Sequence, residues 1–274
     1  MTLSVGFMGL GAVGLPMSSN IARAGFDLMV YDPRPDTVAQ LAALGAKVAT
    51  SPAEIGAHGE IIQVWADDDE AVEAMVLGPD GALQAARPGA VLVIHTAVQR
   101  ATVFKVAVAA KERGVGVLDA QTTSGADGAR AHTLTYLIGG DPALIERCRP
   151  VFEASGPHIF HMGELGAGVV AKCAQQAITC GTIIAVADGM RLAAEGGLDL
   201  ASLQEALKTS SAYGAVFETW QSYAGMAPRR GRVYHKALRP ALALAYELNV
   251  PVPVASLAQQ LIPQVPWAPR ESAD

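Results

Sequence analysis

The sequence has little charge and no surplus of positive charge. Charged residues make up 17% of its 274 positions, and the formal net charge is -6 at pH 7. That balance argues against a surface built for nucleic acid or for an anionic membrane. An acidic small molecule would have to be met locally, by a few placed cations and N–H groups. Cysteine is scarce: Cys148, Cys173 and Cys180 form no C-x-x-C pair, and the odd count suits reduced thiols in a cytosolic protein. His158 and His161 lie three apart in a strand-like stretch without a further ligand, so no metal site is expected. There is no internal repeat and no low-complexity tract. The opening MTLSVGFMGLGAVG lacks the basic and long apolar regions of a secretory signal. No apolar run demands a membrane span. Residues 166–190 come closest, but they hold Lys172, Gln175 and Gln176 among many Ala and Gly residues, and read as the buried helix of a soluble protein.

What the chain does have is apolar residues, 51% of the total, enough for a sizeable core in one large or two ordinary domains. Its first half alternates two patterns. SVGFMGL, DLMVYD, EIIQVWA, AVLVIHT and GVGVLDA read as strands, and PMSSNIARAG and TVAQLAALGA as helices between them. HTLTYLIGG and HIFHMG follow as further strands. Such alternation predicts a parallel sheet with helices on both faces. After Gly163 the pattern turns helical: residues 168–197 read as one helix with Gly196 and Gly197 as its stop, Asp199 is the next N-cap, and LASLQEALKTS, AVFETWQSYA and PALALAYELN follow as further helices. The expectation is an α/β domain of the Rossmann type over 1–163, and an all-α domain over 164–274, joined by a long helix.

The turn GLGAVG places Gly9, Gly11 and Gly14 in G-x-G-x-x-G spacing between the first strand and the first helix. In that context Gly9 makes the tight turn, Gly11 leaves room for a pyrophosphate, and Gly14 lets the helix approach the strand. Leu10, Ala12 and Val13 complete the phosphate cradle at the helix start. The second strand ends in Asp32, suited to the ribose hydroxyls of NAD. Arg34 follows, suited to the 2′-phosphate of NADP. NAD is the favoured cofactor and NADP the alternative.

With these residues in view, the chain resembles the β-hydroxyacid dehydrogenase family over almost its whole length. GFMGLGAVGLPMSSNIARAG is similar to the family's opening signature, and ADDDEAVEAMVLGPDGAL to the loop and helix that follow its third long strand. That resemblance implies cofactor contacts at Ala66, Asp67, Thr96 and Lys236. The family's D-A-P-V-S-G-G stretch stands here as DAQTTSG, with Gln121 for Pro, Thr123 for Ser and Ser124 for the first Gly. Thr123, Ser124 and Gly125 would bind a substrate carboxylate. G-x-x-G-x-G followed by K-x-x-N-N stands as Gly163, Gly166, Gly168, Lys172, Gln175 and Gln176, with both asparagines replaced by the longer amide. In IHTA, Thr96 takes the place of the family's Ser and Ala97 that of its Thr. In KALRPA, Ala237 replaces an Asp and Pro240 a Leu, and Pro240 is expected to disrupt a helix running through it.

The resemblance implies hydride transfer between nicotinamide and a small β-hydroxy acid or its semialdehyde or ketone. Lys172 would be the general acid and base, with a pKa lowered toward ~7–8. Gln176 would bind substrate one helical turn further along. It further implies a cytoplasmic homodimer or homotetramer built through the helical region. His95 would touch substrate or serve the structure, and Trp220 and Tyr223 would line the cleft. Two alternatives stand beside this reading: an imine reductase-like enzyme, which the retained Lys172 opposes, and a non-catalytic dinucleotide-binding protein on the same fold.

Overall fold

The computed structural model describes residues 2–219 and 227–264. The chain divides into two compact units, Met1–Lys172 and Cys173–Asp274. In the first, the order is β1 (Ser4–Met8), α1 (Gly14–Arg23), β2 (Asp27–Tyr31), α2 (Pro35–Ala42), β3 (Lys47–Val48), α3 (Pro52–His58), β4 (Ile61–Val64), α4 (Asp69–Leu77), β5 (Val91–Ile94), α5 (Arg100–Glu112), β6 (Gly116–Thr123), α6 (Gly125–Arg130), β7 (Thr135–Gly139), α7 (Pro142–Glu153) and β8 (His158–Gly163). The strands form one sheet in the order β3-β2-β1-β4-β5-β6-β7-β8.

Every neighbouring pair is parallel except β6 and β7. The expected parallel sheet therefore holds with one reversal. Its reason is length: residues 124–134 contain only the short α6, and a crossover to a parallel strand takes about a dozen residues or more. β4 and β5 are buried at every position. Strands covered on both faces are built from near-continuous apolar runs, which is why VLVI and, but for Gln63, IIQV were recognisable. Phe7, Val93, Leu118, Tyr136 and Phe152 belong to one buried cluster.

From β1 the chain moves outward to β2 and β3, then returns to the other side of β1 as β4. In such sheets the crevice beyond the carboxyl ends, where the order reverses, is the ligand site.

A long helix, α8 (Ala167–Glu195), starts in the first unit and continues into the second. It stops at Gly196 and Gly197, the latter with φ of 77°, and Asp199 caps α9 (Leu200–Leu207) by accepting from Ser202 N–H at 2.8 Å. α10 (Ala215–Glu218), α11 (Ala227–Glu247) and α12 (Pro253–Leu261) follow. Cys180 of α8 packs with Leu238 of α11 and with Ala255 and Ala258 of α12. Met190 packs with Phe217 and with Leu200, Leu203 and Leu207.

Two expectations need correction. α11 runs through Pro240 without a break. The proline removes one backbone donor, but the apolar face carrying Leu238, Ala241 and Leu244 remains buried, and packing of such a face supplies most helix stability. α8 is buried on one stripe only, through Val169, Cys173, Cys180, Ile183, Met190 and Ala193, while Ile178 and Leu192 are exposed. Trp220 and Tyr223 lie outside the described residues, as do positions 265–274.

Candidate active site

The three glycines of the first turn have different reasons to be glycine. Gly9 adopts φ of 88°, and a Cβ there would lie 1.7 Å from the Trp65 carbonyl oxygen. A Cβ at Gly14 would lie 2.0 Å from the Gly9 oxygen. Both are demanded by packing. Gly11 is different: its nearest neighbour would be Arg34 Nη2, 4.0 Å away. Open space at the second glycine is what a pyrophosphate requires. Val13, at the N-cap of α1, makes no side-chain capping bond, and the first turn carries no acid. The N–H groups and positive dipole end are thus available to phosphate. These residues fit a dinucleotide.

Asp32, at the end of β2, is buried. Its Oδ2 accepts from Leu10 N–H at 2.6 Å, and both carboxylate oxygens accept from the Arg34 guanidinium at 2.8 and 2.7 Å. Burial alone would raise its pKa. The Arg34 guanidinium and the N–H groups of Arg34 and Leu10 together outweigh burial and hold the carboxyl below its ordinary value. Ala66 and exposed Asp67 follow β4, and Thr96 follows β5. Ala66 N–H donates to Thr96 Oγ1 at 2.7 Å. All these positions succeed the carboxyl ends of adjacent parallel strands, so the topology puts them along one edge of the sheet.

His95 serves the structure. It is 1% exposed, among Phe7, Trp65, Tyr136 and Phe152. Nδ1 lies 2.8 Å from the Ala120 carbonyl and Nε2 lies 2.7 Å from the Gln63 carboxamide. Burial pushes its pKa down to about 4 against the pull of that carbonyl, so the ring is neutral and donates once. With Nδ1–H given to Ala120, Nε2 must accept, so the Gln63 carboxamide is assigned with its NH2 toward the ring in place of the Oε1 set there, which also gives the otherwise unpartnered Gln63 Nε2 an acceptor.

β6 carries the other half of the site. Alternate residues point to the same face of a strand, so Asp119, Gln121 and Thr123 share one face. Buried Asp119 accepts from Gly166 N–H and Val169 N–H, each at 2.7 Å, and so caps the start of α8. Burial pushes this carboxyl up to about 6, against the pull of those N–H groups. A Cβ at Gly168 would lie 2.4 Å from the Asp119 carbonyl and 2.6 Å from that of Leu137. The glycines before Lys172 therefore bring the helix start onto β6 and β7. Lys172 is half-buried, in the second turn of α8.

Thr123 ends β6, half-buried. Ser124 caps α6 in a left-handed conformation, φ 71°, and Gly125 has φ 55°. Gln176 is one turn beyond Lys172 on α8, and its Oε1 is buried without a hydrogen-bond partner among the described residues. Lys236 is exposed on α11 in the second unit. Asp119 and Gln121 were not singled out as site residues from sequence. The acid opening the DAQTTSG stretch was a signal for Asp119. Gln121 had none beyond standing where the family pattern carries proline.

Residues 4–163 match the model of the NAD binding domain of 6-phosphogluconate dehydrogenase, and residues 166–274 that of the NAD-binding domain of NADP-dependent 3-hydroxyisobutyrate dehydrogenase. The chain belongs to the β-hydroxyacid dehydrogenase family. This β-hydroxyacid dehydrogenase is 34% identical to an NAD-dependent L-serine dehydrogenase of Pseudomonas aeruginosa, over 81% of this chain and 74% of that one. It is 32% identical to a 3-hydroxyisobutyrate dehydrogenase of the same organism, over 94% and 90%. A solved 3-hydroxyisobutyrate dehydrogenase of Mycobacterium tuberculosis with L-serine superposes with a TM-score of 0.86 at 27% identity, covering 96% of this chain and 94% of that one. The protein is an NAD(P)-dependent oxidoreductase acting on the hydroxyl group of small hydroxy acids.

Proposed function

We propose that this enzyme oxidises a short β-hydroxy acid to its semialdehyde or ketone, or runs the reverse reduction, with Lys172 as general acid and base. The observation that carries the reading is the anchoring of α8. Asp119 fixes the first turn of that helix to β6, and Lys172 follows one turn later. Bound nicotinamide supplies the hydride acceptor in oxidation and the donor in reduction. Lys172 takes the hydroxyl proton in oxidation and returns it to the forming alkoxide in reduction. Thr123, Ser124 and Gly125 hold the carboxylate, and Gln176 turns its unpartnered oxygen to a substrate donor.

The turn from Gly9 through Gly14, with Leu10, Ala12 and Val13, holds the pyrophosphate. Ala66, Asp67, Thr96 and Lys236 complete the cofactor site. Asp32 accepts from the adenosine ribose, and Arg34 either swings off Asp32 or stays to meet a 2′-phosphate. Residues 1–163 serve the cofactor, and 164–274 serve substrate and dimerisation. The enzyme works as a cytoplasmic homodimer or homotetramer, in which a second copy covers the apolar residues left exposed on α8. Relatives at 30% identity or more include dehydrogenases of L-serine, 3-hydroxyisobutyrate and 2-(hydroxymethyl)glutarate, whereas the imine reductases among the solved structures share 16–21%, which does not favour an imine reductase-like or non-catalytic alternative.

The test is reduction of NAD and of NADP by the purified protein with L-serine, 3-hydroxyisobutyrate and related β-hydroxy acids, beside Lys172→Ala. The expected result is turnover with one acid, lower by about 10²–10⁴-fold in the variant. Equal turnover in both proteins would remove Lys172 from the chemistry.

A further inference from the structure

We propose that Gln121 is a positioning residue for cofactor binding, holding the loop after β5 through the carbonyl of Thr96. The inference rests on the reading of Ala66 and Thr96 as cofactor contacts and goes one step behind them.

Gln121 is 1% exposed, and its Nε2 donates to Thr96 O at 3.0 Å. The same carbonyl accepts from Val98 N–H at 2.9 Å. Its two lone pairs are thus shared between the tight turn that follows β5 and a side chain from the neighbouring strand. The hydroxyl of Thr96 is engaged as well, by Ala66 N–H, and His95 N–H donates to Val64 O at 3.0 Å. These bonds tie together the carboxyl ends of β4, β5 and β6. Among the described residues, Gln121 supplies the one side chain of β6 in that set. The preceding residue contributes through its backbone: the Ala120 carbonyl accepts from His95.

The three same-face residues of β6 divide the labour. Asp119 fixes the helix that bears Lys172, Gln121 fixes the loop that bears Thr96, and Thr123 ends the strand at the substrate position. One strand thereby sets the spacing among acid–base group, cofactor and substrate. A loop left to move would blur that spacing, and small misplacements are costly in hydride transfer. A glutamine is well suited to the task. It is neutral, so its burial does not strand a charge, and its amide donates along a fixed direction.

The test uses NADH binding, read by its fluorescence from pH 5.5 to 8.5, in wild type, Gln121→Leu, Gln121→Glu and Gln121→Ala, with Gly11→Val as a marker of the cofactor site. Asp119, on the same face of β6, and neutral His95, behind Ala120, are present in every protein, so each variant is compared with wild type at the same pH. Gln121→Leu keeps the volume and loses the donor. NADH should bind about tenfold more weakly at every pH. Gln121→Glu sets a carboxylate against the Thr96 carbonyl at high pH and an O–H donor against it once protonated. Its affinity should fall below that of Gln121→Leu at pH 8.5 and return toward wild type at pH 5.5. A buried carboxylate is penalised at high pH wherever it stands, so the recovery counts only where Gln121→Glu binds NADH more tightly at pH 5.5 than Gln121→Leu, which lacks the donor; this arm does not depend on Gln121→Ala folding well. If Gly11→Val abolishes binding while Gln121→Glu matches wild type throughout, or is weakened without recovery, the inference falls alone. If Gly11→Val binds NADH as wild type does, the cofactor reading falls and takes the inference with it.

Discussion

Gly11 is the residue at which cofactor binding separates from folding. Gly9 and Gly14 cannot accept a Cβ without collision with backbone oxygens 1.7 and 2.0 Å away. At Gly11 a Cβ meets nothing nearer than 4.0 Å, and what lies there is the far end of the flexible Arg34 side chain. Gly11→Val should therefore keep the wild-type melting temperature while blocking the pyrophosphate and abolishing NADH binding. Gly14→Ala should lower the melting temperature sharply, because a backbone carbonyl must move. Equal thermal loss in both variants would mean that Gly11, too, is a packing glycine. Arg34 permits a second separation. Its guanidinium is 58% exposed while the Asp32 carboxylate it holds is 2% exposed. Removing it in Arg34→Ala frees Asp32 for ribose hydroxyls and takes away the cation that would meet a 2′-phosphate. The ratio of kcat/KM for NAD over that for NADP should rise at least about tenfold, the scale of one charge-assisted hydrogen bond. An unchanged ratio would assign the selectivity elsewhere.

At the scale of elements, β6 and the start of α8 act as one piece, joined through Asp119. Its carboxyl is raised to about 6 by burial. Between about 4 and about 6 the folded chain keeps a proton that the unfolded chain has released, so this group's contribution to stability falls as pH rises through that window. Asp119→Asn has no such titration. Urea unfolding from pH 4 to 8 should give a wild-type-minus-variant difference that declines up to about pH 6 and is level above it; a level difference throughout would mean an ordinary carboxyl. Turnover should move the other way in wild type. Protonation of Asp119 gives up an acceptor for the Gly166 or Val169 N–H and loosens the turn before Lys172, so kcat should fall on the acid side of about 6 with little change in the KM for NADH. The long strands of the sheet were legible because a strand buried on both faces is mostly apolar, with polar exceptions such as Gln63, Asp119 and Gln121. β3 was not: it has two residues, both exposed. Nor was α12, short and opened by Pro253. The reversal of β7 was hidden because alternation reveals a strand and never its direction. The glycine turn and Lys172 were legible because their spacing is local. The roles of Asp119 and Gln121 are made across strands and helices, by partners 47 and 25 residues away; the DAQTTSG stretch marks Asp119 without showing its role, and no local pattern marks Gln121.

At the scale of the whole molecule, the outstanding feature is apolar surface left exposed among the described residues. Ile178 and Leu192 of α8 are 70% and 76% exposed, and Tyr246 of α11 is 91% exposed. α8 is long and apolar enough to cross a bilayer by length and composition. Lys172, Gln175, Gln176, Asp188 and Arg191 interrupt it, and Arg191 bonds Asp188 at 2.8 Å in the manner of an aqueous helix face. A second copy of the chain is the cover that these facts favour. Burying one Ile or Leu side chain is worth about 1.5–3 kcal/mol, so two on each subunit contribute about 6–12 kcal/mol to a dimer. The double variant Ile178→Glu, Leu192→Glu should therefore lose the dimer outright, since it also sets like charges against each other across the interface. Light scattering after gel filtration in detergent-free buffer reads the result. Wild type should elute at twice the chain mass or a multiple of it, and the variant as a monomer that still binds NADH, because no residue of the glycine turn has been touched. A wild type that is monomeric without detergent would deny the second copy, and one that needs detergent to stay in solution would return α8 to the membrane reading its composition allows.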